Sequence, residues 1–172
     1  MLADPLWARI PKDRCLDIGC GNDPLPGATG YDLPDDAAIC AGLAPEYSLV
    51  YSSHCIEHIR TAPQALARWW SLVRPGGWLW VLAPDWQLYE HGIWPSAFNT
   101  QHLWRCRLLG ETSETERWLS LSAEAALMAG GQVMRLATVD TNYDYTKPDV
   151  DQTKWDAEAS IELVVWKVPE VI

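Results

Sequence analysis

The stretch Arg14-Cys15-Leu16-Asp17-Ile18-Gly19-Cys20-Gly21 decides how the rest of the chain is read. Its first half is a short apolar run fit for a buried strand, and its second half is a glycine turn. Glycine removes the side chain where backbone must come close to a ligand or bend into left-handed space, and Gly19 and Gly21 supply two such places. Asp17, at the strand end, is positioned to accept from a cationic amine or to brace the N–H groups of the turn. Cys20, inside the turn, is the one cysteine of five expected to face a ligand. The other four fall in or beside apolar segments, where a free thiol acts as a small hydrophobe.

Downstream, Ala28 to Leu33 reads as a second strand ending at Asp32. A carboxylate at that place can take both hydroxyls of a ribose. Only roughly ten residues separate the two strands, near the lower limit for a parallel crossover and too few for a full helix. A pyrophosphate would then lack its usual helix N-terminus. With the third glycine of the dinucleotide fingerprint also absent, NAD is disfavoured and a nucleoside without phosphate is preferred.

Tyr47 to Ser53 reads as a strand, and Pro63 to Val73 as a helix with apolar positions 65, 66, 69, 70, 72 and 73. Arg74-Pro75-Gly76-Gly77 is expected to stop that helix, and Trp78 to Ala83 reads as a strand buried on both faces. Positions 84–116 lose periodicity and read as a long functional loop. A helix over Leu121 to Gly131, with Ser122 as its cap, precedes two closing strands at Val133 to Tyr145 and Ala159 to Val168. Together these predict one α/β domain over residues 1–172, a mostly parallel Rossmann-like sheet with an antiparallel C-terminal edge pair and a shortened first crossover.

Three segments carry a resemblance to a known family. Leu16-Asp17-Ile18-Gly19-Cys20-Gly21 resembles the first motif of class I S-adenosylmethionine-dependent methyltransferases. Tyr51-Ser52-Ser53-His54-Cys55-Ile56-Glu57-His58-Ile59 resembles their SSHxLEH segment after the fourth strand of the family. Leu72-Val73-Arg74-Pro75-Gly76-Gly77-Trp78-Leu79 resembles the LxPGGxL hairpin before the fifth. A looser likeness links 84–102 to a subgroup of small bacterial methyltransferases, some of them with roles in glycan modification. The resemblance implies S-adenosyl-L-methionine as cofactor, with Asp17, Gly19, Cys20 and Gly21 along its methionine part. It also implies Asp32 at the ribose, Leu33 among the cofactor contacts, and Ser53 and His54 beside the methionine moiety or the methyl group. The family's acidic residue for the adenine is replaced here by Cys40-Ala41-Gly42-Leu43, so backbone and apolar contacts are expected to hold that ring.

For catalysis, His54 is the expected base or substrate contact, with His91 and Asp85 reaching from the later loop. Glu57 and His58 read as braces of the turn after His54. A metal reading of His54, Glu57, His58 and His91 is disfavoured, because neighbours in a regular helix cannot face one ion. The expected reaction is methyl transfer to a small-molecule or glycan-linked acceptor. A catalytically silent cofactor-binding module or accessory subunit is the competing reading.

The formal charge of −10 argues against a nucleic-acid partner, which needs clustered Lys and Arg. With 48% hydrophobic residues a packed globule is expected. No apolar run is long enough to span a bilayer, and the N-terminus lacks a signal-peptide pattern, so a cytoplasmic protein is expected. Eleven tryptophans are too many to ignore. Trp69, Trp70, Trp78 and Trp80 fit a core, whereas Trp86, Trp94 and Trp104 sit where a sugar-binding or partner surface is plausible.

Overall fold

A computed structural model describes residues 4–32, 40, 42–147 and 149–169. Its centre is a six-stranded sheet in the order β2-β1-β3-β4-β8-β7. The strands are β1 (Cys15–Ile18), β2 (Ala28–Tyr31), β3 (Tyr47–Ser53), β4 (Val73–Pro84), β7 (Gly131–Val139) and β8 (Ser160–Lys167). The first four pair in parallel, and β8 runs antiparallel to both β4 and β7. The mostly parallel sheet with its antiparallel closing pair is therefore the observed architecture. A small parallel pair, β5 (Arg105–Arg107) and β6 (Trp118–Ser120), lies apart from it.

The sheet's two faces are filled differently. On one, Leu16, Ile18, Val50, Leu79, Val81, Leu163 and Val165 pack beneath α1 (Ala62–Leu72) and α2 (Leu121–Ala126). Trp69 and Leu66 of α1 are fully buried there, and full burial of such side chains is worth about 1.5–3 kcal/mol each. On the other face, Cys15, Leu49, Tyr51, Trp78, Trp80 and Val164 meet Trp7 and Ile10 from the N-terminal segment. Among the described residues no helix of more than one 3-10 turn covers that second face, because β1 reaches β2 through residues 19–27 without one. The shortened crossover is thus real, and it leaves the second face partly open.

Several boundaries differ from the sequence reading, each for a local reason. Helix α1 starts a residue earlier than expected, at Ala62, with Pro63 in its first turn. It runs straight into β4, and the Arg74-Pro75-Gly76-Gly77 stop is absorbed as a bulge: pairing with β3 jumps from Tyr47↔Val73 to Leu49↔Trp78. The cap of α2 is Ser120, whose Oγ accepts from the Ala123 N–H, and Ser122 lies inside the helix. Strand β7 ends at Val139, not Tyr145, because Asn142 turns the chain at φ +59°.

Candidate functional site

Parallel pairing of β1 with β3 aligns Ile18 with Ser52, so the glycine turn and the segment after β3 emerge side by side. Gly19 adopts φ +75°, and its N–H donates to the Tyr31 carbonyl at 2.9 Å. A Cβ on Gly19 would lie 2.4 Å from both Cβ and Sγ of Cys55, so no larger residue fits between the turn and that segment. Gly21 differs: at φ +54° it has nothing within 4 Å of the Cβ position, and its backbone faces open space.

Asp17 is buried, and its Oδ2 accepts the Leu25 N–H at 2.8 Å. Burial raises its pKa, and the Leu25 bond works against that rise. Cys20 is half-buried, and its thiol is pushed up by burial and then by the charges of Asp17 and Asp32. Asp32 is exposed just beyond β2. Leu33 falls outside the described residues, together with Asp35 and Asp36. In the stretch matching the missing adenine carboxylate, Arg68 Nη2 donates to the carbonyls of Cys40 (3.2 Å) and Leu43 (2.9 Å).

At the end of β3, Ser53 lines one of two cavities, and His54, just past it, lines both. The first, about 470 Å3, is lined by His54, Glu57, His58, Tyr89, His102 and Trp155 among others. The second, about 730 Å3, lies on the open face of the sheet against Tyr51, Ser53, His54, Trp80, Arg135 and Glu162. His54 takes φ +50°, and its Nε2 lies 3.1 Å from Ser160 Oγ. Its side chain is 42% exposed at the rim. Desolvation by its crowded surroundings, then repulsion from His102 and His58, pull its pKa down to about 4, so the imidazole is neutral near pH 7.

Behind His54, three imidazoles converge on one carboxylate. Glu57 Oε1 lies 3.8 Å from His54 Nδ1, 3.6 Å from His58 Nε2 and 3.8 Å from His102 Nε2. Glu57 is fully buried, and neither of its oxygens has a hydrogen-bond partner among the described residues. Burial lifts its pKa to about 8. The far nitrogens of two of the histidines are engaged: His58 Nδ1 donates to the Gln101 carbonyl at 3.2 Å, and His102 Nδ1 to Glu90 Oε1 at 2.6 Å. In a regular helix Glu57 and His58 would face apart. Residues Ile56–His58 form a single 3-10 turn instead, which lets both side chains reach inward. His102 and Glu90 were not singled out together with Glu57, because the long loop that carries them has no periodicity to align them.

The remaining candidates sit elsewhere. Asp85 is buried, and its Oδ1 accepts from the Gln87 and Leu88 N–H groups at 2.7 and 3.1 Å, starting a turn. His91 packs edge-on against Phe98 and is outside the lining of both cavities. Trp86, Trp94 and Trp118 gather around the Arg105 guanidinium, and Trp104 is buried. Trp86, Trp94 and Trp118 stay half-buried around that guanidinium. Trp155, 72% exposed at the mouth of the first cavity, is the one left facing outward there.

No protein-family model matches this chain, and no curated protein sequence does either. Solved structures do. A SAM-dependent methyltransferase from Methanosarcina mazei superposes with a TM-score of 0.61 at 12% identity, over 97% of this chain and 99% of its own. The methyltransferase solved in complex with the Haloferax volcanii Trm112 methyltransferase activator gives 0.58 at 14% identity, over 95% and 87%. The cyclase SpnF gives 0.52 at 11% identity, over 91% and 75%. The chain therefore has the Rossmann-like fold of class I SAM-dependent methyltransferases, a fold that also serves other chemistry.

Proposed function

We propose that this protein transfers a methyl group from S-adenosyl-L-methionine to a hydroxyl of a small-molecule or glycan-linked acceptor. The reading is carried by one juxtaposition: Gly19 packs on Cys55, which brings the glycine turn beside His54 at the C-terminal edge of the sheet. Ligands of open α/β sheets bind at that edge.

The residues present fit the cofactor. Gly21 offers backbone with open space where a Cβ would stand, and Asp32 offers an exposed carboxylate at the ribose position. When bound, the cofactor supplies an electrophilic methyl carbon on a sulfonium. Much of the acceleration of an in-line displacement comes from holding acceptor and donor in line, a task open to Tyr89 and Asn99 of the first cavity and Ser53 of the second. His54, at the cavity rim, would take the proton that an acceptor hydroxyl gives up on methylation. Trp155, exposed at the cavity mouth, supports a sugar face as part of the acceptor.

Calorimetry with S-adenosyl-L-methionine and its demethylated product is the first test. Binding lost in Asp32→Ala is the expected result, and no heat with the intact protein would overturn the reading. Labelled methyl transfer to a panel of hydroxylated small molecules and glycans follows, with His54→Ala slowing turnover about 10²–10⁴-fold while cofactor binding persists. The missing crossover helix favours a second reading, a cofactor-binding module without catalysis. Cofactor bound yet unconsumed across the whole panel is its signature.

A further inference from the structure

We propose that Glu57, His58 and His102 form a binding site for a divalent first-row transition ion on the floor of the first cavity. One ligand atom from each lies within 4.8 Å of the other two. The hydrogen bonds fix their tautomers. The Gln101 carbonyl can only accept, so His58 Nδ1 carries the proton and Nε2 presents a lone pair to Glu57. His102 Nδ1 lies 2.6 Å from Glu90 Oε1, and in the neutral tautomer that donates there its Nε2 also presents a lone pair. With Glu57 ionised, two imidazole lone pairs and a carboxylate oxygen face one another with no donor between them. Burying such a group of acceptors without a partner costs several kcal/mol, and a cation between them removes that cost.

The surroundings are those of a metal site. A ligating histidine typically donates its other N–H to a carboxylate or backbone carbonyl, which fixes the ring and raises its basicity; Glu90 and Gln101 do this here. Ligands at zinc distances stand about 3.3 Å apart in a tetrahedron; Glu57 Oε1 is already 3.6 and 3.8 Å from the two imidazoles, and with all three atoms within 4.8 Å of one another an ion would draw the imidazoles together. Two imidazoles and one carboxylate suit Zn2+ or Fe2+ rather than Mg2+ or Ca2+, and three protein ligands leave a position open toward the cavity. Trp104 Nε1 donates to the Ile59 carbonyl at 2.7 Å and Leu103 N–H to the Glu57 carbonyl at 2.8 Å, so the two ligand-bearing segments are pinned together.

The site is argued from its own residues and does not depend on methyl transfer. Chelator-stripped protein is titrated with Zn2+ by calorimetry and with Co2+ by visible absorption, without cofactor or acceptor. One equivalent is expected to bind, with ligand-field bands and no thiolate-to-cobalt charge transfer, and Zn2+ is expected to raise the melting temperature. Glu57→Gln and His58→Ala should abolish the bands, and Glu90→Gln should weaken binding about 10–100-fold. His58 is only half-buried, so its variant keeps the fold testable. Overturning results are no stoichiometric binding by the wild type, or unchanged binding in both His58→Ala and His102→Ala. Since neither cofactor nor acceptor is present, such a failure leaves the methyl-transfer reading standing, and a silent cofactor titration leaves this one standing.

Discussion

The Asp17 carboxylate, at the end of β1, accepts the backbone N–H of Leu25 at 2.8 Å and ties the helix-free crossover to the sheet. In sheets with a crossover helix, packing of that helix holds the glycine turn. Here the carboxylate does part of that work, supported by the Asp23 N–H to Cys20 carbonyl and Ala28 N–H to Leu25 carbonyl turns. Asp17→Asn keeps an acceptor for Leu25 but removes the charge, whereas Asp17→Ala removes both. Asn is expected to melt close to wild type, and Ala to lose about 1–3 kcal/mol in urea denaturation. Both should weaken S-adenosyl-L-methionine binding in calorimetry if the charge also meets the cofactor's cationic part.

The two glycines of the turn separate folding from binding. An alanine at Gly19 is strained at φ +75° and also collides with Cys55 at 2.4 Å. Left-handed strain of about 1–2 kcal/mol adds to overpacking of about 1–3 kcal/mol, so Gly19→Ala should be severely destabilised. At Gly21 only the strain applies, since open space surrounds the Cβ position. Gly21→Ala should fold with a loss of about 1–2 kcal/mol by denaturant unfolding, and lose cofactor affinity out of proportion to it.

How far the sequence reached follows from range. Cys15-Leu16-Asp17-Ile18 and Leu49-Val50-Tyr51 are short, mostly apolar stretches, the first bounded by a glycine turn and the second rich in β-branched and aromatic residues, and β1 and β3 are legible for that reason. Gly76 and Gly77 misled, because glycine marks a bulge as readily as a helix stop, and only pairing with β3 distinguishes the two. The glycine turn and His54 are local features beside strong strands. The Glu57 cluster is not local. His58 meets Gln101 across 43 residues, inside a loop whose path is set by buried Trp104 and by Ser96 and Asn99 turns rather than by any period.

Arg135 anchors the N-terminal segment over the open face. Its Nη1 and Nη2 donate to the two oxygens of Asp4 at 2.5 and 3.0 Å, and Nη1 also reaches Glu162 Oε2 at 3.1 Å. The Arg135 bond holds the Asp4 pKa below its ordinary 3.8. A carboxyl whose pKa is depressed on folding contributes stability above its unfolded pKa, and that stability is lost as pH falls through the folded value. Asp4→Asn should therefore melt below wild type at pH 7 by an amount near 1 kcal/mol, and the gap should close below about pH 4. Thermal melts of the two proteins across pH 2–7 check the sign; a gap that widens in acid would show that the pair does not stabilise the fold.

Glu57 should set stability against binding. Its two oxygens are buried without hydrogen-bond partners, a burden of about 1–3 kcal/mol that a neutral side chain of the same shape partly relieves. In chelator above about pH 8, where the wild-type carboxyl is ionised, Glu57→Gln is expected to melt above wild type, by about 2–4 °C for each kcal/mol gained in a chain of this length. In excess Zn2+ the order should invert, because only the carboxylate completes the site and a ligand bound to the folded state alone raises its stability. Residues that are destabilising alone and stabilising with a ligand mark functional positions. Scanning calorimetry of both proteins in both buffers provides the four melting temperatures. A wild type that outlasts the variant equally in both would make Glu57 a structural residue whose partner is the proton it holds.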